Sequence, residues 1–234
     1  FSSIILSLLA FYFILKILLG SGTRKKIYAV MTYITLFLLI GTNETIMVSW
    51  DALLSILISI YFVKHRNLNK FLIGLFFVAI VASILVYFSP GNTLRMASIE
   101  SSQMPLIEAV TSSIKASLWV IKDWLTTTPL LIILCLAFYP AKKIFDTNKA
   151  LVTKIYLNPF TAVVTIFLLI CSAFFASFWS TGVYPPDRSV NISYFIFIFG
   201  SLYLVLSIAK FMQDKKITIT PLPFYANIIL ATLF

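Results

Sequence analysis

KFLIGLFFVAIVASILVYFSPGNTLR, residues 70–95, decides the fold class. From Phe71 to Phe88 it carries no charged side chain, and an apolar run of that length is the signature of a helix that crosses a bilayer. The run closes on Ser89-Pro90-Gly91-Asn92, where proline and glycine enforce a turn, and Arg95 follows. The same grammar, a long apolar run and then a short polar turn, repeats along the chain.

The composition agrees. Sixty per cent of the 234 residues are hydrophobic and 11% are charged, against about 25% charged in an ordinary soluble domain. Mean hydropathy is +1.00. A soluble globular protein is excluded. The expected architecture is all-α, a polytopic transmembrane helical bundle with about eight spans forming a single domain over 1–234. The expected spans are 4–20, 27–42, 45–63, 71–88, 112–139, 160–180, 191–209 and 224 onward. Lys115, Lys122, Asp123 and Pro129 interrupt the fifth, which also reads as an interfacial amphipathic helix over roughly 105–124 followed by a short span over 125–139. The chain begins at Phe1 and ends at Phe234 inside an apolar run, so a fragment of a longer polytopic protein is expected. Arg24-Lys25-Lys26 follows the first run where a signal peptide would have small residues for cleavage.

The net charge of +10 is distributed unevenly. Loops after the odd-numbered spans, with Lys16, hold fourteen of the eighteen Lys and Arg against Asp146 and Asp214 alone, a balance of +12. The other face holds Arg95, Lys115, Lys122 and Arg188 against six carboxylates, a balance of −2. Basic loops stay cytoplasmic, which accounts for the charge without nucleic acid as a partner. The expected location is a bacterial cytoplasmic membrane with the mildly acidic face outside. Cys135 and Cys171 fall inside apolar runs and read as packing residues. His65 lies in a basic loop, and no metal site is expected.

Three polar clusters fall on the acidic face. Glu44 opens the third span after Asn43. A carboxylate there suits the helix dipole, with Thr42 or Asn43 as cap, or serves chemistry. Asp51 lies seven residues on, on the same side of the helix and about 10 Å deeper. A carboxylate at that depth is costly unless paired or wet, so a polar vestibule opening outward is expected. Pro90-Gly91-Asn92 holds Asn92 and Arg95 near the surface within the 89–111 loop, where Arg95 suits a phosphate or carboxylate or a lipid headgroup. Pro185-Pro186 stiffens the entry to the seventh span, with Asp187 or Ser189 as cap. Arg188 there opposes the helix dipole and calls for an anion, either Asp187 or a ligand. Glu100 and Glu108 read as solvated loop charges, and Trp119, Trp124 and Trp179 as interfacial belt residues. No nucleotide-binding glycine loop or serine or cysteine nucleophile motif occurs.

Through Asn43-Glu44, Pro90-Gly91-Asn92-Thr93-Leu94-Arg95 and Pro186-Asp187-Arg188-Ser189, the chain resembles a family of uncharacterised bacterial multi-pass membrane proteins over residues 25–205. That family is similar to membrane glycosyltransferases that use polyprenyl-phosphate sugars at the outer leaflet, which place an acidic catalytic residue in their first outward loop. The resemblance implies a GT-C-like cell-envelope enzyme acting on a lipid-linked saccharide, with a polyprenyl-phosphate-linked sugar as donor and no other cofactor. Arg95 and Arg188, with Asn92, would hold the donor phosphate. Glu44 or Asp51 would be the catalytic base, and Asn43, Pro90, Gly91 and Asp187 would support the loops. Two other functions fit the same residues: a transporter or flippase for an anionic or lipid-linked substrate, and a scaffold subunit bound to a membrane protein partner. Membrane lipid is a partner in all three.

Overall fold

A computed structural model describes residues 2–19, 23–90, 104–147 and 156–215. Among these the chain is all-helical, with eight helices: α1 (Ser2–Leu19), α2 (Thr23–Ile40), α3 (Glu44–His65), α4 (Lys70–Tyr87), α5 (Leu106–Thr127), α6 (Leu130–Thr147), α7 (Pro159–Thr181) and α8 (Asp187–Asp214). The helical membrane bundle expected from sequence is therefore the observed class. Its inventory differs from eight simple spans. Four helices, α3, α4, α7 and α8, are each long and apolar enough to cross a membrane. The α5–α6 pair makes a fifth if counted as one bent span. In α1 the apolar stretch is the shorter Ser3–Ile17, and α2 spends its first turn on Arg24, Lys25 and Lys26. The eighth expected span, from 224, lies outside the described residues.

Local sequence sets the boundaries. Asn69 caps α4, its Oδ1 accepting from the Phe71 amide at 3.0 Å, and Asn158 caps α7 by accepting from the Thr161 amide at 3.1 Å. Such caps satisfy amides that a helix start leaves unpaired. α3 ends where Arg66 turns left-handed (φ 51°) and its amide reaches the Phe62 carbonyl at 2.8 Å. α5 ends in Thr126-Thr127-Thr128 before Pro129. The hydroxyls of Thr127 and Thr128 donate to the Asp123 and Trp124 carbonyls, while proline bars continuation. The axis then bends by 79° into α6. Sequence leaves residues 112–139 as one interrupted span or as a surface helix plus a short one, and the structure shows two helices with a sharp break between them.

Two compact units emerge, residues 1–115 with 168–193, and residues 116–167 with 194–234. In the first, α2 packs on α1, α3 and α4, and α3 packs on α4. Its buried side chains include Leu36, Leu39, Ile40, Leu54 and Leu75, alongside Thr32, Thr45 and Ser49. Thr32 and Thr35 donate to the carbonyls four residues back, at 2.7 Å each, so their hydroxyls are paired within the helix. Meanwhile large apolar side chains such as Phe77, Leu85 and Val63 face outward. Small hydroxyl residues inside and large hydrocarbons outside is the arrangement lipid favours and water penalises.

In the second unit Ala141, Val205 and Ala209 form a cluster that joins α6 to α8, with Leu134 and Phe138 packed against it. Gly200 lets α8 approach α7: a Cβ there would sit 2.7 Å from Cγ1 of Ile166. Two sequence expectations are corrected here. Trp124 is buried, with its ring 5.0 Å from Tyr194 and 5.3 Å from Phe197; it follows the small-residue side of α5 into the protein, whereas Trp119 and Trp179 are exposed. Cys135 is exposed on α6 and does not pack in a core.

Candidate functional site

The site grows from three helix ends in the first unit. Asn43 adopts extended backbone and accepts from the Thr45 amide at 2.8 Å, which makes it the N-cap of α3. Thr42 is not the cap; its hydroxyl donates to the Leu39 carbonyl at 2.7 Å and closes the α2 end. Glu44 thereby occupies the first turn of α3, half-buried, where the exposed amides favour a negative charge.

The second end is the start of α8. Gly182 terminates α7 in the left-handed region (φ 69°), its amide reaching the Phe178 carbonyl at 2.9 Å. The chain folds back so that the Tyr184 ring lies 5.7 Å from Phe174 and 6.3 Å from Phe178. Pro185 is buried, and the Pro186 carbonyl accepts from the Ser189 and Val190 amides at 2.8 and 3.2 Å. Pro186 therefore precedes the helix, and neither Asp187 nor Ser189 is the cap: both lie inside the first turn. Asp187 and Arg188 are exposed, and Arg188 forms no ion pair among the described residues. The local Asp187–Arg188 pair considered from sequence is absent there.

These two ends meet. Thr45 donates to Oγ of Ser189 at 3.0 Å, both residues being buried. The Glu44 turn and the Arg188 turn thus stand side by side, though 144 residues separate their contact in sequence. The third end, where α4 closes at Tyr87, borders a cleft of about 280 Å³ against the end of α2, lined by Phe37, Gly41, Ala82, Leu85, Val86 and Ser89. Gly41 opens the turn that leads to Asn43, and Ser89 precedes Pro90, which is exposed. Gly91, Asn92, Arg95 and Glu100 lie outside the described residues.

Asp51 is held where α3 packs on α4. Ser83 of α4 donates to its Oδ2 at 2.8 Å, while its Oδ1 is buried and has no hydrogen-bond partner among the described residues. Asp51 does not line the cleft. Asp51 stands half-buried where α3 meets α4, and Ser83 comes from the facing helix at the same depth. Sequence reasoning passed over Ser83 and Thr45. A signal for Ser83 existed: it stands seven residues before Pro90, as Asp51 stands seven after Glu44, so antiparallel neighbours place them level. Thr45 carried no such signal, since its contact depends on how α8 packs.

Among the described residues the fold is all-α, with four to five helices long and apolar enough to cross a membrane, and the Thr45–Ser189 contact brings the turn that carries Glu44 beside the turn that carries Arg188. Comparison with protein-family models, with curated proteins and with solved structures found no match.

Proposed function

We propose that this protein is a multi-pass enzyme of a bacterial cytoplasmic membrane that transfers or polymerises sugars carried on a lipid phosphate at the extracytoplasmic face. The observation that carries the reading is the Thr45–Ser189 hydrogen bond, which sets the Glu44 carboxylate and the exposed Arg188 guanidinium on adjoining turns. Arg188, joined by Arg95 and Asn92 of the 89–111 loop, holds the donor phosphate; a guanidinium fits phosphate oxygens in a fork. Glu44 takes the proton of the acceptor hydroxyl. The acceptor oxygen then bonds to the anomeric carbon, the carbon–oxygen bond to phosphate breaks, and the lipid phosphate leaves with the electron pair. Arginine stabilises the charge that develops on it. Asn43 and Pro186 fix the two turns, and Pro90 and Gly91 fix the third. Asp51 is assigned no proton transfer in this scheme, because its free oxygen is enclosed.

Basic loops are assigned to the cytoplasm by their charge. A donor dissolved in the bilayer needs no nucleotide site, which suits a chain without a phosphate-binding glycine loop. One observation favours a second reading. A carboxylate with a buried oxygen that has no partner among the described residues, inside a helix apolar enough to cross a membrane, is expensive to keep, and transporters keep such groups to couple ions to substrate movement; flipping of an anionic lipid-linked substrate would use Asp51 and Ser83.

The test is mass spectrometry of lipid-linked saccharides in cells lacking the full-length protein, rescued with wild type, Glu44→Gln, Arg188→Ala or Asp51→Asn. Transfer predicts that an unextended lipid-linked precursor accumulates and persists with Glu44→Gln and Arg188→Ala. An unchanged lipid-linked pool in the deletion would overturn it. An intact product trapped on the cytoplasmic leaflet, with Asp51→Asn the severest variant, would select transport.

A further inference from the structure

We infer that α5 lies in the plane of the membrane, at the level of the phospholipid headgroups, with Lys115 and Lys122 on the lipid phosphates. At 22 residues α5 is about 33 Å long, enough to cross a bilayer, so its side chains must decide its orientation. They sort into three sides. Ala109, Ser113, Ser117, Val120 and Trp124 are buried against the protein. Ile107, Val110, Ile114 and Leu118 recur at helical spacing and are exposed, Ile107 to 80%. Lys115 and Lys122, seven residues apart on a third side with exposed Glu108 and Trp119 near them, are exposed and form no ion pair among the described residues.

A transmembrane α5 would hold Lys115 near mid-bilayer on a surface that faces hydrocarbon, without a counter-ion, an arrangement membrane helices avoid. An in-plane α5 meets every constraint together. Its exposed aliphatic row enters the acyl layer along its whole length, both lysines reach the phosphates by extending from their apolar stems, and Trp119 sits at the depth indoles prefer. The 79° bend at Thr128-Pro129 is the geometric counterpart. A helix that leaves an in-plane α5 at that angle points into the acyl layer, and α6 opens there with Leu130-Leu131-Ile132-Ile133-Leu134. Charge complementarity names the occupant of the polar side as an anionic phospholipid surface.

The full-length protein in vesicles of phosphatidylethanolamine and phosphatidylglycerol provides the test. Nitroxide labels placed one at a time at positions 107, 114 and 118 report depth by oxygen against nickel-chelate accessibility. An in-plane helix predicts equal depths within about 5 Å, whereas eleven residues of a spanning helix would separate positions 107 and 118 by about 16 Å. These positions face outward, so labelling leaves packing intact. In parallel, Lys115→Gln/Lys122→Gln should retain several-fold less phosphatidylglycerol through detergent exchange than wild type. A depth gradient of the spanning size, or phosphatidylglycerol retention equal to wild type in the double variant, would overturn the inference.

Discussion

Ser83→Ala tests the α3–α4 seam most sharply. Among the described residues Ser83 supplies the one hydrogen bond that the Asp51 carboxylate receives, at 2.8 Å on Oδ2, while Oδ1 is buried with no partner there. A hydrogen bond to a charged group contributes about 1.5–3 kcal/mol. Both residues are half-buried, which places this one toward the lower end. Ser83→Ala alone should therefore cost about 1.5 kcal/mol. Asp51→Leu should act with the opposite sign. It removes a carboxylate oxygen whose unmet demand costs about 1–3 kcal/mol and substitutes hydrocarbon inside a helix of hydrocarbons, so the variant should be more stable than wild type. With Asp51 absent, Ser83 has no acceptor to serve there, and Ser83→Ala in the Asp51→Leu background should be neutral within about 0.5 kcal/mol. The assay is reversible unfolding in mixed detergent–SDS micelles, run as a double-mutant cycle on the four proteins. An equal cost of Ser83→Ala in both backgrounds, or a loss of stability with Asp51→Leu, would refute the reasoning. Stabilisation by Asp51→Leu would also imply that the carboxylate is retained for function at the expense of stability.

Two further variants probe the frame around the site. A Cβ at Gly200 would meet Ile166 Cγ1 at 2.7 Å and its Cδ1 and Cγ2 at 3.2 Å; a β-branched side chain in a helix has one strongly preferred rotamer and does not swing clear, so Gly200→Ala should destabilise by about 1 kcal/mol despite its better helix propensity. In an Ile166→Ala background the same change should become stabilising, and melting temperatures in detergent that move the same way in both backgrounds would contradict the contact. Asn43→Ala removes the α3 cap and should cost about 1 kcal/mol, with Asn43→Asp or Asn43→Ser restoring most of it; equal melting points for wild type and Asn43→Ala would remove the capping assignment.

Much of the fold was legible because lipid simplifies the reading. Long uncharged runs such as Phe71–Phe88 have few alternatives to helix where backbone groups find no water, and six of the described helices match expected spans to within a few residues. The α5–α6 break was legible in part, through Lys115, Lys122 and Pro129, but its angle depends on where the threonine hydroxyls close the last turn. Hydropathy located α1 and α2 without fixing how much of each is apolar enough to cross. At the site, Asn43, Glu44 and the Pro185-Pro186 entry were visible as turn and cap chemistry, and their placement at one end follows from alternation of antiparallel helices. The Thr45–Ser189 contact was not visible, because hydroxyl residues inside apolar runs look alike until packing pairs two of them. Asp51 stands out by its cost, while its partner does not: a water-filled vestibule and a serine from the next helix relieve that cost equally well in a sequence.

The proposed function requires the polar turns to share the membrane face opposite the basic loops. Single cysteines at positions 43, 92, 188 and 66, placed in a Cys135→Ser/Cys171→Ser background and labelled with an impermeant maleimide in intact cells, test this directly. Positions 43, 92 and 188 should react from outside, and position 66 only after the membrane is opened. Labelling of position 66 in intact cells, or of position 188 only after lysis, would contradict it.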